Sequence, residues 1–262
     1  MAALPTWAYP VLVAGGFVAG IANAMAGGGS LVTLPLLVLA GLPPTVANGT
    51  NRVAILVQGA TTVTGYGRAG KIPWRAALTL LGTTLLGTAA GALVATRLSD
   101  EAFRPILGVV LLVMAGVVLV RPARWLHPET TDVPHFGWRM HLSFLGIGVY
   151  AGFIQAGYGF FVLAALVAGA GLDLVRANGI KVTLAAVLSV LALAIFAWHG
   201  EVDWLAGGVL ALGNGVGGYV GARIAVNKGA PWIRWVLVVM VVASGLAILR
   251  VPQAIGRLLG WG

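Results

Sequence analysis

Residues 20–35 read GIANAMAGGGSLVTLP: an apolar run, three consecutive glycines, a serine, and a second apolar run that reaches Pro35. Each glycine inside a helix costs about 1 kcal/mol relative to alanine, so three in succession mark a place where one helix stops and another starts. The flanking residues are uncharged. Irregular backbone at membrane depth is tolerated only where it is buried in protein or lines a polar cavity. The stretch therefore predicts a helical hairpin broken inside a membrane, with its break turned toward something polar.

The rest of the chain supplies the membrane. Its 262 residues are 59% hydrophobic and 9% charged, with mean hydropathy +0.97. Residues 76–96, 105–120, 182–198, 205–222 and 235–249 carry no Asp, Glu, Lys or Arg. A helix of roughly 20 apolar residues spans the hydrocarbon core, with ~17 as the lower limit. Shorter runs gain length when flanking Arg and Trp side chains reach the interface. The class is an all-α, polytopic membrane protein. Sixteen basic residues against seven acidic ones do not indicate nucleic acid, because they stand singly between apolar runs and form no stripe. With no cysteine there is no disulfide and no thiolate metal site. The N-terminus lacks a basic leader region and reads as the first membrane segment, not a cleaved signal.

The glycine break occurs twice. ANGTNRV at 47–53 matches ANGIKVT at 177–183, GKIPW at 70–74 matches GEVDW at 200–204, and AGGG at 26–29 falls on AGYG at 156–159, each 130 positions apart. Upstream of the break the offset becomes 132, pairing AGIAN (19–23) with AGFIQ (151–155), so Asn23 corresponds to Gln155. The expected division is a first repeat at 1–122, a cytoplasmic linker at 123–141 and a second repeat at 142–262. Each repeat would hold one glycine-broken hairpin, re-entrant in character, and three spanning helices.

Charge gives the orientation. The 68–75 loop carries Arg68, Lys71 and Arg75, whereas its counterpart HGEVD at 199–203 carries acids and no Lys or Arg. The loop after the next helix reverses the pattern: 97–104 is neutral, while its counterpart holds Arg223, Lys228 and Arg234. Cytoplasmic loops are enriched in Lys and Arg, so the repeats have inverted topology, as in many secondary transporters. Eleven of the sixteen basic residues then lie inside. Residues 8–42 and 142–171 become two hairpins dipping in from opposite faces, their tips meeting near the midplane.

A helix that starts after a glycine break offers unpaired N–H groups and a positive dipole end, which favour an anion. Polar residues inside the membrane are costly and mark function. The candidate substrate-binding residues are Asn23, Gly27, Gly28, Gly29, Ser30, Asn48, Asn51, Arg52, Gln155, Asn178 and Lys181. Six of them, Asn23, Ser30, Asn51, Arg52, Gln155 and Lys181, are expected to converge on one anion at the repeat interface. Asn48 and Asn178 fit equally well as helix caps after Pro44 and Asp173. Arg52 and Lys181 fit equally well as interfacial charges. Gly87, Gly91, Gly213, Gly217 and Gly221, at four-residue spacing, read as close-packing positions, and Gln58 and Asn214 as interhelical hydrogen-bond partners. The apolar runs hold no carboxylate, which disfavours cation transport and proton relays. No nucleophile–base pair suggests an enzyme, and no metal or cofactor is expected. Expected partners are a small anionic substrate and the lipid bilayer, with a homodimer as the assembly considered.

The run AGGGSLVTLPLLVLAGLPP followed by GTNR resembles the N-terminal motif of the TauE/SafE family of sulfite and organosulfonate exporters. The likeness extends along nearly the whole chain through the repeat. It implies an inner-membrane, multi-pass transporter of small sulfur-containing anions such as sulfite or sulfoacetate. The second half departs from the motif: AGYGFFVLAAL replaces a second glycine run, and Ala165 stands where a proline is expected.

Overall fold

The computed structural model describes residues 4–120 and 136–227, all of them in helices or the turns between. The first half contains α1 (Ala8–Ala26), α2 (Ser30–Leu39), α3 (Pro44–Arg68), α4 (Trp74–Ala95) and α5 (Asp100–Val120). The second contains α6 (Trp138–Phe153), α7 (Tyr158–Leu163) with a π-helical continuation over Ala164–Gly169, α8 (Leu174–Trp198) and α9 (Trp204–Asn227). Among the described residues α1, α4, α8 and α9 are long and apolar enough to cross a membrane, while α2 and α7 with its continuation are short apolar helices. The expected linker at 123–141 lies outside the described residues up to 135, and α6 already begins at Trp138. The span expected at 235–249 also lies outside them.

The repetition in sequence returns as repetition in backbone. α3 and α8 start at 44 and 174, and α4 and α9 at 74 and 204. Gly27, Gly41 and Gly70 adopt positive φ, and so do Gly157, Gly171 and Gly200, each 130 positions on. Left-handed backbone is where glycine is the default residue, so these three turns are encoded twice.

Helices in a membrane gain little from apolar burial against each other, and close contact at small residues takes its place. A Cβ on Gly16 or Gly20 of α1 would lie 2.6 or 2.4 Å from the carbonyl oxygens of Leu210 and Asn214 on α9. On Gly213 or Gly217 it would lie 1.9 or 2.1 Å from those of Val13 and Phe17. α4 and α6 interlock in the same way through Gly87, Gly91, Gly148 and Gly152, and Gly221 meets Ile21. The glycines at four-residue spacing are packing positions, as expected. Both pairs run parallel. By contrast α3 and α8 run antiparallel: Gly49, early in α3, abuts Glu201 O beyond the end of α8, and Gly179, early in α8, abuts Lys71 O beyond the end of α3. They touch in the middle at Gly59 and Ala186.

Candidate functional site

α1 stops at Ala26 because Gly27 turns left-handed (φ +84°) and returns its N–H to Ala22 O and Asn23 O at 3.3 and 3.0 Å, satisfying carbonyls that the helix end would orphan. Three residues later, at Ser30, α2 begins, and the N–H groups of Leu31 and Val32 are bonded to Gly28 O and Gly29 O. The second break falls between Phe153 and Tyr158. It passes through Gln155 at φ +55°, the one non-glycine residue with positive φ among those described, and Gly157 at φ +69°. Such a conformation costs a non-glycine residue about 1–2 kcal/mol, and strain of this kind gathers at functional sites. The breaks touch each other: a Cβ on Gly27 would lie 2.5 Å from Gly159 Cα, and one on Gly159 at 2.5 Å from Gly27 Cα.

Each long helix sends a cation and an amide to the broken end in the opposite half. From α3, Arg52 donates through Nη1 to Ala151 O at 2.7 Å and to Gln155 Oε1, and through Nη2 to Gly152 O at 2.9 Å and Asn48 Oδ1 at 3.4 Å. Asn48 Nδ2 donates to Phe153 O at 2.7 Å. The guanidinium also lies 5.4 Å from the centroid of the Phe196 ring. From α8, Lys181 Nζ donates to Asn23 O at 2.9 Å and to Asn178 Oδ1 at 2.6 Å, while Asn178 Nδ2 donates to Met25 O at 3.4 Å. Arg52 and Lys181 are 1% and 2% exposed, so neither is an interfacial charge. A helix C-terminus carries orphan carbonyls and the negative dipole end, and leaving these unpaired in an apolar setting is costly. The cations supply what the breaks remove. Asn48 and Asn178 do not cap their own helices: α3 has no side-chain cap bond, and Asp173 caps α8 by accepting from the N–H groups of Val175 and Arg176 at 3.0 Å each.

The amides before the breaks reach the long helices. Asn23 Nδ2 donates to Gln58 Oε1 at 2.5 Å, and Gln58 Nε2 to Thr62 Oγ1 at 3.3 Å. Gln155 Nε2 lies 3.5 Å from Ser189 Oγ. Asn51 faces α2 instead, accepting from Thr33 Oγ1 at 2.6 Å. Asn51 Nδ2, Arg52 Nε and Asn214 Oδ1 are buried without a partner among the described residues. Ser30 is buried at the start of α2.

The six residues expected around one point thus divide. Arg52 and Gln155, with Asn48, lie on one side of the α3–α8 crossing. Asn23 and Lys181, with Asn178, lie on the other, Asn51 looks toward α2, and Ser30 sits at the first position of α2. A cavity with room for about one water borders the Lys181 cluster, lined by Asn23, Gln58, Tyr158 and Lys181 together with Ile55 and Val182. Gly27 and Gly29 have packing reasons of their own, since a Cβ on Gly29 would lie 2.4 Å from Ala19 O. Sequence reasoning misses Tyr158, whose hydroxyl donates to Lys181 O at 2.6 Å, as well as Thr33, Ser189 and Phe196. These residues look like ordinary helix filling, and only the fold turns them inward.

The described acids stand at helix starts or in the α8–α9 turn, away from the breaks. Asp100 accepts from Thr45 N and Oγ1 at 3.0 and 2.8 Å, and Asp203 accepts from the N–H of Ala206 at 3.0 Å. Burial, with Asp100 nearby, raises the Glu201 carboxyl above the usual carboxylate range, against an opposing pull from His199.

The family described as "Sulfite exporter TauE/SafE" matches residues 12–248. A "Probable membrane transporter protein ORF9" of a Sinorhizobium species is 30% identical over 90% of this chain and 90% of its own. A "Probable membrane transporter protein" of Haemophilus influenzae is 28% identical over 88% of this chain and 90% of its own. The "Probable membrane transporter protein YfcA" of Escherichia coli K12 is 29% identical over 85% of this chain and 82% of its own. No solved structure gives a significant match.

Proposed function

The chain belongs to the sulfite exporter TauE/SafE family of membrane transporters, and on that premise we propose that it exports a small sulfur-containing anion, sulfite or an organosulfonate, across the cytoplasmic membrane by alternating access. The observation that carries this reading is Arg52. It is buried, it forms no ion pair among the described residues, and only carbonyl and amide oxygens surround its Nη atoms. A buried positive charge without a carboxylate leaves a positive field around the breaks, which suits an anion passing there. It does not suit a cation.

Helix directions support an inverted repeat of the halves 1–122 and 142–262. Arg68, Lys71 and Arg75 share one end of the bundle with Arg176, while Asp100, Glu101, Glu201 and Asp203 share the other. The positive-inside rule puts the basic end in the cytoplasm. Each hairpin then enters from its own face, with the touching breaks between them. Export runs with a negative-inside potential by roughly 2.3 kcal/mol per charge per 100 mV, so an exporter of this design works without a coupled ion. The cycle requires no covalent step.

The test is flux from proteoliposomes loaded with sulfite, methanesulfonate, sulfoacetate, sulfate, acetate or a divalent metal. We expect efflux of a sulfur anion, accelerated by an inside-negative potential and lost in Arg52→Gln. Metal flux without anion flux would overturn the reading.

A further inference from the structure

Resting on the anion-transport reading, we propose that the anion binds in the small cavity beside Lys181 and, in binding, draws the ammonium away from the end of α1. The cavity lies near the α3–α8 crossing, between the first hairpin, the start of α7 and both long helices. Its space for about one water is smaller than any sulfur oxyanion, so a ligand enters only when groups around it part.

Two contacts have to change. Asn23 Nδ2 is bonded to Gln58 Oε1 at 2.5 Å, and Lys181 Nζ is bonded to Asn23 O at 2.9 Å. An anion competes well for both donors. A charged acceptor makes the Asn23 amide bond about twice as strong as its neutral one. It also meets the Lys181 ammonium as an opposite charge, where Asn23 O offers only a carbonyl dipole. Gln58 Oε1 presents partial negative charge to the same donor, so Gln58 opposes the ligand. Lys181 suits the exchange because its ammonium is a point charge on a flexible stem. Arg52, with both Nη atoms on oxygens of the second hairpin and its own helix, keeps that hairpin fixed. Tyr158 adds to this by donating to Lys181 O at 2.6 Å, which ties α7 to α8. The first hairpin is therefore the one that substrate releases.

The test uses the full chain in lipid nanodiscs, titrated calorimetrically with sodium sulfite and sodium methanesulfonate. Because the chain has no cysteine, a single Met25→Cys reports the end of α1 through maleimide labelling. We expect Lys181→Met to weaken binding about tenfold or more and Gln58→Ala to tighten it about two- to tenfold. Saturating anion should speed labelling of Met25→Cys severalfold. Weakened or unchanged binding in Gln58→Ala overturns the proposal, as does labelling that ignores bound anion. Should Lys181→Met fail to fold, these two arms still decide. Anion binding indifferent to both substitutions removes this site and leaves the transport reading standing. Failure of both anions to bind the unsubstituted protein removes both.

Discussion

Gly27→Ala should destabilise the protein more than alanine at Gly41, Gly70, Gly157 or Gly200, which also have positive φ. Two costs combine at this position. The left-handed backbone (φ +84°) costs an L-residue about 1–2 kcal/mol. The added methyl carbon would also lie 2.5 Å from Gly159 Cα and 3.0 Å from its carbonyl carbon. Backbone on both sides cannot swing aside as a side chain can, and overpacking typically costs about 1–3 kcal/mol. The total is about 2–5 kcal/mol. Gly70→Ala isolates the first cost, because φ is +65° and nothing lies within 4 Å of the added carbon. Gly157→Ala falls between them: φ is +69°, and the carbon meets the mobile Met114 Cε at 2.6 Å.

Glycine-to-alanine changes also stabilise by narrowing the unfolded chain, but that gain is common to all three and cancels in the comparison. Equilibrium unfolding in mixed SDS–detergent micelles, followed by the fluorescence of the nine tryptophans, gives the ranking directly. A Gly27→Ala protein within about 0.5 kcal/mol of Gly70→Ala would mean that the two breaks do not meet at Gly27 and Gly159.

Arg52→Met leaves Ala151 O, Gly152 O and Gln155 Oε1 without their donor; loss of about 3–5 kcal/mol is expected by analogy with breaking a buried charge pair, and Arg52→Lys should restore only part of it because the planar fork is gone. For topology, single cysteines replacing Arg68 and Glu201 should label from opposite faces of intact cells, and labelling from one face would remove the inverted repeat. Glu201, raised by burial, holds its proton in the folded protein at pH values where the unfolded chain has released it. Its contribution to stability is therefore full at low pH and is lost as pH rises from the ordinary carboxylate range through its raised value. Glu201→Gln should flatten that part of the stability–pH profile, and an unchanged slope would show the carboxyl to be solvated.

The two helix breaks are legible in sequence because glycine is costly in a helix and repeats at a fixed offset. GGG at 27–29 and GYG at 157–159 align without any structure. Asn23, Arg52, Gln155 and Lys181 are legible because uncompensated polarity within apolar runs is rare. What each of them touches is not legible. Sequence places Arg52 and Lys181 around one anion at the repeat interface, but the antiparallel crossing of α3 and α8 separates them and hands each cation to the broken helix end of the opposite half. Spacing along one chain carries no information about that exchange. The same limit hides Tyr158 and Phe196, which qualify as core aromatics by pattern and gain polar roles only from their neighbours. Asn48 and Asn178 follow helix starts closely enough to look like caps, yet Asp173 already fills that role on α8.

The two halves use one device with unequal grip, and the inequality bears on mechanism. A broken helix end in a membrane needs a donor for its last carbonyls, and a cation is the strongest donor that can also let go. Arginine holds through a planar fork whose geometry matches several oxygens at once, whereas lysine holds through a compact ammonium that can reorient. Arg52 grips a second hairpin further fixed by Tyr158 on Lys181 O, and its short helix widens into a π-helical turn at Ala164–Gly169 where the first hairpin keeps Pro35 in a regular helix. Lys181 grips the first hairpin beside a cavity that a water already fits. A symmetric pair of forks would lock both hairpins, and a symmetric pair of lysines would leave neither as a fixed reference. In the proposed cycle, one of each gives a rigid half against which the other can move.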